Sequence, residues 1–275
     1  MKVLILGSTG MLGNAVLKEF EGRADYDVTA TRRTNALSIE LSNTATEGYK
    51  LVDFDTKEGP FPRERFDYII NCIGVIKPFI DKDVATSIHT NSVFPHMLST
   101  WAGYNGMKLI HITTDCVFSG SKGAYTEEDE HDMIDLYGRS KSLGETKEAM
   151  VLRTSIIGEE IHKHASLISW VKSQKGKTVN GFTNHMWNGV TTNQYAKICK
   201  KIIEEDLYRE NLFHVFSPTS VNKNDLVELI NKKFNLDITV EETEAEEAVD
   251  RTLSTVKNLN KQLSIPEIED QINNL

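Results

Sequence analysis

Tyr137 and Lys141 stand four residues apart in Asp135-Leu136-Tyr137-Gly138-Arg139-Ser140-Lys141, and the segment continues helically through Leu143, Glu145 and Thr146. Residues at i and i+4 share a helix face, so a phenol and an ammonium project together. A free phenol titrates near pKa ~10, and a neighbouring cation favours its phenolate, which makes Tyr137 a usable acid and base near neutrality. Such a pair alone is common on solvated helices. Its weight comes from the apolar run Leu109–Ile112, which ends in Thr113-Thr114-Asp115-Cys116-Val117-Phe118-Ser119-Gly120. The carboxyl end of a strand is where an open parallel sheet holds its ligand.

A second constellation lies near the amino terminus. The run Lys2–Leu6 passes directly into Gly7-Ser8-Thr9-Gly10-Met11-Leu12-Gly13 and then into an amphipathic segment. Between strand and helix, the first glycine permits a tight turn, the second removes a Cβ where a diphosphate approaches, and the third lets helix and strand pack closely. The helix start then offers unpaired N–H groups and the positive end of its dipole to phosphate. This predicts a dinucleotide site in which Thr9 and Met11 line the turn between Gly7, Gly10 and Gly13. Three glycines in a plain strand-to-helix turn are the alternative. Where an NAD site usually carries an acid, this chain has Thr31-Arg32-Arg33-Thr34. Arg32 or Arg33 would hold a 2′-phosphate by charge-assisted hydrogen bonds, so NADPH is expected in preference to NADH; surface charge at a strand end is the other reading.

These groups need a scaffold. Lys2–Leu6, Asp27–Thr31, Tyr68–Cys72, Lys108–Thr113 and Val151–Thr154 read as buried strands. Leu12, Ala15, Val16 and Phe20 share one helical face, as do Phe94, Met97, Leu98 and Trp101. Right-handed crossovers then give an α/β, Rossmann-type doubly wound parallel sheet. Beyond Ser155, helices near Ser166–Ser173, Thr192–Glu205 and Lys223–Phe234 alternate with strand-like pieces at Thr178–Phe182, Leu212–Phe216 and Ile238–Val240, suggesting a smaller α/β substrate lobe. The expected division is a dinucleotide-binding domain over 1–155 and a substrate-binding lobe over 156–275, with part of 190–216 returning to the first. The run Glu241–Glu247 reads as a solvated loop or helix face.

Composition narrows the field. The 275 residues fit one large or two modest domains. With 31 basic and 40 acidic side chains the net charge is −9, which argues against nucleic acid or an anionic membrane as partner. The start is too short for a signal-peptide core and no apolar run reaches membrane length. Three distant cysteines, Cys72, Cys116 and Cys199, form no C-x-x-C, so a reducing cytoplasm is expected, without disulfide framework or structural zinc. The histidines form no metal set. Gly176-Lys177-Thr178 has Val171 where a phosphate loop needs glycine, and there is no G-x-S-x-G elbow, so kinase and hydrolase readings lose their support.

Gly7-x-x-Gly10-x-x-Gly13, Asn71-Cys72-Ile73-Gly74, Thr114-Asp115-Cys116-Val117-Phe118 and Tyr137-Gly138-Arg139-Ser140-Lys141 with Gly144-Glu145 together resemble the extended short-chain dehydrogenase/reductases. The pattern is most similar to the dTDP-4-dehydrorhamnose reductases and relatives acting on 4-keto nucleotide sugars, clearly so over the N-terminal lobe and in outline beyond it. The resemblance implies that Thr114 hydrogen-bonds a keto oxygen, Tyr137 donates its proton and Lys141 holds the nicotinamide ribose. It also implies that Asn71, Cys72, Gly74 and the Asp53-Phe54 pair lie beside the cofactor, with Asn91 supporting the active-site helix. Cys116, Val117 and Phe118 are expected to face substrate. Lys77 and Arg251 are candidate diphosphate contacts, and Trp187 a candidate stacking partner for a base or sugar, with packing as its alternative.

The function implied is NADPH-dependent reduction of a 4-keto-6-deoxy nucleotide sugar in surface-polysaccharide synthesis, by a protein that forms a homodimer. Departures from the family leave alternatives. Related dehydratases carry Asp-Glu after the threonine, whereas Asp115 is followed by Cys116, which argues against water elimination. In GDP-fucose synthase a cysteine two residues past the catalytic serine works with a later histidine to epimerise carbons beside the ketone. Thr114, Cys116 and His164 match that placement, so an epimerase-reductase is the second reading, with Cys116 as a small buried hydrophobe and His164 as a surface residue its alternative. The third is a non-catalytic partner protein, since the regulatory subunit of methionine adenosyltransferase resembles these reductases.

Overall fold

Val3, Leu4, Ile5 and Leu6 are all fully buried, as a strand covered on both faces requires, and form β1 (Lys2–Leu6). The computed structural model describes residues 1–33, 48–57, 61–161 and 165–275. After the glycine turn, α1 (Met11–Phe20) buries Leu12, Ala15, Val16 and Phe20. Then follow β2 (Asp27–Arg32), β3 (Tyr49–Asp53), β4 (Tyr68–Asn71), α2 (Val84–Ile88), α3 (Phe94–Tyr104), β5 (Lys108–Thr114), α4 (Leu136–Leu143) and β6 (Met150–Thr154). The second half contributes β7 (Ile156–Ile157), α5 (Leu167–Ser173), β8 (Thr178–Phe182), β9 (His185–Trp187), β10 (Val190–Thr191), α6 (Thr192–Glu204) and β11 (Asn211–His214). It closes with β12 (Val221–Asn222), α7 (Lys223–Phe234), β13 (Thr239–Thr243), β14 (Val249–Asp250), α8 (Leu259–Leu263) and α9 (Ile268–Asn273).

The large sheet has the order β11-β6-β5-β4-β1-β2-β3, and β1 pairs in parallel with both β2 and β4. Strand order reverses beside β1, the switch point at which such sheets open a ligand crevice. The doubly wound α/β fold expected from the sequence is therefore present. The mixture of polar and apolar residues in Tyr49–Asp53 hid β3, which among the described residues is an edge strand paired with β2. The strand-like piece near 212–216 is β11, at the opposite edge of the same sheet.

The described chain forms two compact units. The first comprises Met1–Thr113, Ser140–Leu152 and Ala196–Leu212, and the second Thr114–Arg139, Arg153–Tyr195 and Phe213–Leu275. In the first, Leu4, Leu6, Ile69, Phe94, Leu98 and Val151 belong to one core. The expected apolar face of α3 is rotated: Phe94, Leu98 and Ala102 are buried, whereas Met97 is 44% exposed. In the second, Ile168, Val171, Leu226, Ile230 and Ile272 form the centre of another core.

The second unit also contains the sheet β12-β9-β14, in which Val221 pairs antiparallel with Trp187 and Val249 in parallel with His185. The acidic run is partly strand: β13 pairs in parallel with β8 through Thr243, which corrects the expected loop or helix over Glu241–Thr243. Glu241, Glu242, Glu244, Glu246 and Glu247 are nonetheless exposed. No described helix is long and apolar enough to cross a membrane.

Candidate active site

The glycine turn is built from backbone proximity. Gly7 has φ +79°, a conformation that disfavours a side chain, and its N–H donates to Thr31 Oγ1 at 3.0 Å. A Cβ on Gly13 would lie 2.1 Å from the Gly7 carbonyl oxygen, so this position closes α1 onto the end of β1. A Cβ on Gly10 would meet only that oxygen, at 3.4 Å, and Gly10 is exposed. Gly10 is also the N-cap of α1, which has no side-chain cap and no acid in its first turn. An open helix start of this kind suits a diphosphate, and Thr9 and Met11, both half-buried, flank it.

Arg32 and Asp53 are paired in register across β2 and β3, and Arg32 Nε donates to Asp53 Oδ1 at 2.9 Å. The sequence offered no acid near this arginine; the neighbouring strand supplies one. Arg33 is exposed, while Phe54 is buried in the first core. Asn71 is buried, its Oδ1 accepting from Ile73 N at 3.1 Å and its Nδ2 lying 3.0 Å from His111 Nδ1. Cys72 is half-buried, with its thiol pushed up by desolvation. Gly74 and Lys77 follow in the exposed turn after β4.

The second half of α4 is clamped within the first unit. Asn91 Nδ2 donates to Val75 O at 2.9 Å and to Ser140 Oγ at 3.1 Å, while its Oδ1 accepts from Val75 N at 2.8 Å. Ser92 Oγ donates to Ser140 O at 2.7 Å, and a Cβ on Gly144 would lie 2.0 Å from Asn91 O. Lys141 is thereby buried, and its ammonium donates to Ile112 O at 3.0 Å. Burial lowers its pKa to about 8, opposed by the charge of Glu145. A Cβ on Gly74 would come within 3.9 Å of Lys141 Nζ, which places the Gly74 backbone beside the ammonium.

The first half of α4 belongs to the second unit. Gly138 packs on the turn after β5, where a Cβ would meet Cys116 O at 2.4 Å, and its N–H donates to Asp135 Oδ1 at 2.7 Å. Thr114 Oγ1 donates to Asp115 Oδ1 at 3.1 Å, accepts from Cys116 N at 3.1 Å and hydrogen-bonds the Tyr137 phenol. Thr114, Cys116 and Tyr137 thus form one cluster. Burial pushes the Tyr137 phenol up, with Cys116, Asp115 and Asp135 adding to the rise and the Thr114 hydrogen bond opposing it. This corrects the expected tilt toward phenolate: with desolvation dominant, the group is held as a proton donor. The Cys116 thiol is pushed up to about 12 by burial and then by Asp115, so it too stays protonated. His164 lies outside the described residues.

Val117 and Phe118 are fully buried with Tyr125 and Leu253, so their side chains build the loop's core instead of meeting substrate, a correction to the sequence reading. Apolar character announced their burial but not its direction. Phe118 O accepts from Arg251 Nε at 2.9 Å, and Trp187 is 5% exposed within the second core, its ring 5.8 Å from Lys223 Nζ. Asp115 is buried and its carboxyl is raised by desolvation, with Arg251 and Lys223 both pulling it back. Sequence reading missed Lys223, which looks like surface charge until the pairing of β9 and β12 brings it to Trp187. Among the described residues no His, Cys, Asp and Glu cluster could hold a metal ion.

A buried Arg153 supports this loop, stacking its guanidinium 5.0 Å from the Phe118 ring and donating to His214 Nε2 at 2.8 Å. His214 Nδ1 lies 2.7 Å from Ser254 O, which fixes the tautomer with Nδ1 protonated and Nε2 accepting. Burial, then the Arg153 charge, lowers the His214 pKa, and burial lowers that of His111. Both rings stay neutral in the folded chain while the unfolded chain protonates them near pH ~6.5, so stability falls as pH drops below that value. Urea unfolding at pH 7.5 and 5.0 should show a loss of about 2–4 kcal/mol, at about 1.4 kcal/mol per pH unit for each ring. Equal stability at the two pH values would contradict the buried neutral histidines.

A phosphate-ready glycine turn at the switch point of a parallel sheet, with a tyrosine and a lysine one turn apart on α4, defines an extended short-chain dehydrogenase/reductase, a class of oxidoreductases. Residues 1–272 match the family described as RmlD substrate binding domain, and the chain belongs to that family. It is 28% identical over 249 residues to methionine adenosyltransferase 2 subunit beta of Danio rerio, covering 86% of this chain and 74% of that one. It is 25% identical over 306 residues to the probable low-salt glycan biosynthesis reductase Agl14 of Haloferax volcanii, covering 99% and 96%. Among solved structures, a dTDP-4-dehydrorhamnose reductase of Bacillus anthracis in complex with NADP superposes with TM-score 0.74 at 19% identity, covering 99% and 97%.

Proposed function

We propose that this protein is an NADPH-dependent reductase of a 4-keto-6-deoxy nucleotide sugar, serving the synthesis of a surface polysaccharide. The hydrogen bond joining Thr114 to the Tyr137 phenol, in a setting that keeps the phenol protonated, carries the reading. When bound, the reduced nicotinamide supplies hydride to the keto carbon. Thr114 orients the keto oxygen, and Tyr137 delivers its proton to that oxygen as negative charge develops. Lys141, held by Ile112 O and framed by Gly74, binds the nicotinamide ribose. Gly7, Thr9, Gly10, Met11 and Gly13 seat the diphosphate, Asn71 and Cys72 line the same side, and Asp53 with the main chain of Phe54 meets the adenosine. Lys77 and Arg251 contact the substrate diphosphate. A homodimer in the cytoplasm is part of the reading, checked by sedimentation.

Agl14 is named as a reductase of glycan biosynthesis, which supports the substrate class. The decisive experiment follows absorbance at 340 nm when enzymatically prepared dTDP-, UDP- and GDP-4-keto-6-deoxy sugars are added with NADPH. Oxidation with at least one of them is expected. Cofactor binding without turnover on all three would favour the second reading, a nucleotide-binding partner subunit, for which the likeness to methionine adenosyltransferase 2 subunit beta is the specific observation.

Arg32 supplies the 2′-phosphate contact. With Nε on Asp53, its two terminal nitrogens are the groups for the phosphate. Arg32→Ala should raise the KM for NADPH about 10- to 100-fold and leave that for NADH within about threefold, since a charged hydrogen bond is worth roughly 1.5–3 kcal/mol. Equal losses with both cofactors would remove this role.

A further inference from the structure

Lys223 is a cation in an unfavourable place. It is the first residue of the twelve-residue helix α7, behind the N-cap Asn222, where the helix dipole repels positive charge. It is half-buried, and desolvation holds its ammonium below the ordinary range, with Asp115 and Cys116 opposing. No carboxylate lies within ion-pair distance of it and no hydrogen bond engages its Nζ among the described residues. Asp115 and Cys116 act on it only through space, and the Trp187 ring lies 5.8 Å below.

The second cation of the cluster, Arg251, uses Nε on Phe118 O and keeps its fork for another partner. Arg251 also faces Asp132, whose carboxylate is already engaged by Ser119 N at 2.6 Å and Ser119 Oγ at 2.5 Å. Asn222 on β12 and Asp250 on β14 pair with the same residue of β9, Met186, from its two sides, so the next residues, Lys223 and Arg251, leave this small sheet beside Trp187, and both act on the buried Asp115 through space. A desolvated cation without an ion-pair partner, as Lys223 is, is costly unless a ligand anion completes it.

We propose that Lys223 is a substrate-specificity residue that, together with Arg251, binds an oxyanion of the nucleotide sugar. The Lys223 ammonium acts as a point charge held over Trp187, and the Arg251 fork adds directional hydrogen bonds. The oxyanion is either the diphosphate of the nucleotide or a carboxylate on the sugar. This rests on the nucleotide-sugar reading for the identity of the ligand but not on turnover.

Titration calorimetry on the full chain with UDP, dTDP, UDP-glucose and UDP-glucuronate, each with saturating NADP present, tests it. Lys223→Met should weaken binding at least tenfold, Lys223→Arg should stay within about threefold of wild type, and NADPH affinity should be unchanged in both. Weakening of all four probes identifies the diphosphate, and weakening of UDP-glucuronate alone identifies a sugar carboxylate; either supports the proposal. A Lys223→Met protein that binds every probe like wild type, or a wild type that binds none at 5 mM, overturns it. Lys223→Gln provides the same comparison if the methionine variant fails to fold. Failure of the reductase reading shows separately, as absent NADPH oxidation with Lys223-dependent binding intact.

Discussion

Tyr137→Phe is expected to lower turnover about 10²- to 10⁴-fold while leaving the NADPH dissociation constant within about threefold of wild type. The substitution keeps the ring and removes one hydroxyl, so the packing of α4 on the turn after β5 survives. Thr114 Oγ1 retains its bonds to Asp115 Oδ1 and Cys116 N, and no buried group is left bare. What disappears, on the mechanism proposed, is the proton delivered to the keto oxygen as hydride adds to carbon. Burial holds the phenol protonated in the free protein, so the donor form is the resting form and kcat/KM for reduction should not need an alkaline activation step. Stopped-flow measurement of NADPH oxidation under single-turnover conditions isolates the chemical step. A rate within threefold of wild type in that assay would refute the role given to Tyr137.

Gly13→Ala should combine a loss of about 2–4 kcal/mol in stability with at least a 100-fold loss of NADPH affinity. The added methyl would lie 2.1 Å from Gly7 O, 2.6 Å from Gly7 C and 2.9 Å from Ser8 Cα. Because all three neighbours are backbone, no rotamer change relieves the clash, and α1 must withdraw from β1. Gly10→Ala makes the informative contrast. Its methyl would find ordinary contact at 3.4 Å from Gly7 O, so the apoprotein should keep its stability while the diphosphate loses its seat. Gly103→Ala, whose methyl meets nothing within 4 Å on α3, is the neutral control. Urea denaturation and fluorescence titration of NADPH on the three variants separate damage to the fold from damage to the site. A Gly13→Ala protein as stable and as avid as wild type would show that the close approach is not needed.

The parts of this protein written in local residue patterns were legible. Continuous apolar runs announced β1, β2, β4, β5 and β6, and the glycine turn announced where a dinucleotide would approach. β3 was not legible, because an edge strand covered unevenly carries no continuous run, and Tyr49–Asp53 mixes polar and apolar residues. The face of α3 was misplaced because Met97 and Leu98 are equally apolar and only packing decides which turns inward. Among the candidate site residues, Tyr137 and Lys141 stood out by spacing, and Thr114 by its place at the end of an apolar run and by the resemblance to the family. Neither the partnership of Arg32 with Asp53 nor the approach of Lys223 to Trp187 did, since each depends on strand pairing between distant segments. The direction of the Tyr137 shift was missed for a related reason: sequence showed a nearby cation but not the depth of burial that outweighs it.

Burial of Lys141 ties the charge of its ammonium to the pH of the medium. An amine that surrenders its proton near pH 8 is still charged in a neutral cell but mostly bare in the basic buffers chosen to drive alcohol oxidation. On the role proposed for Lys141, assays of the reverse direction in such buffers would sample a protein whose ribose-binding ammonium is discharged, and would understate how readily the same molecule works in the forward direction.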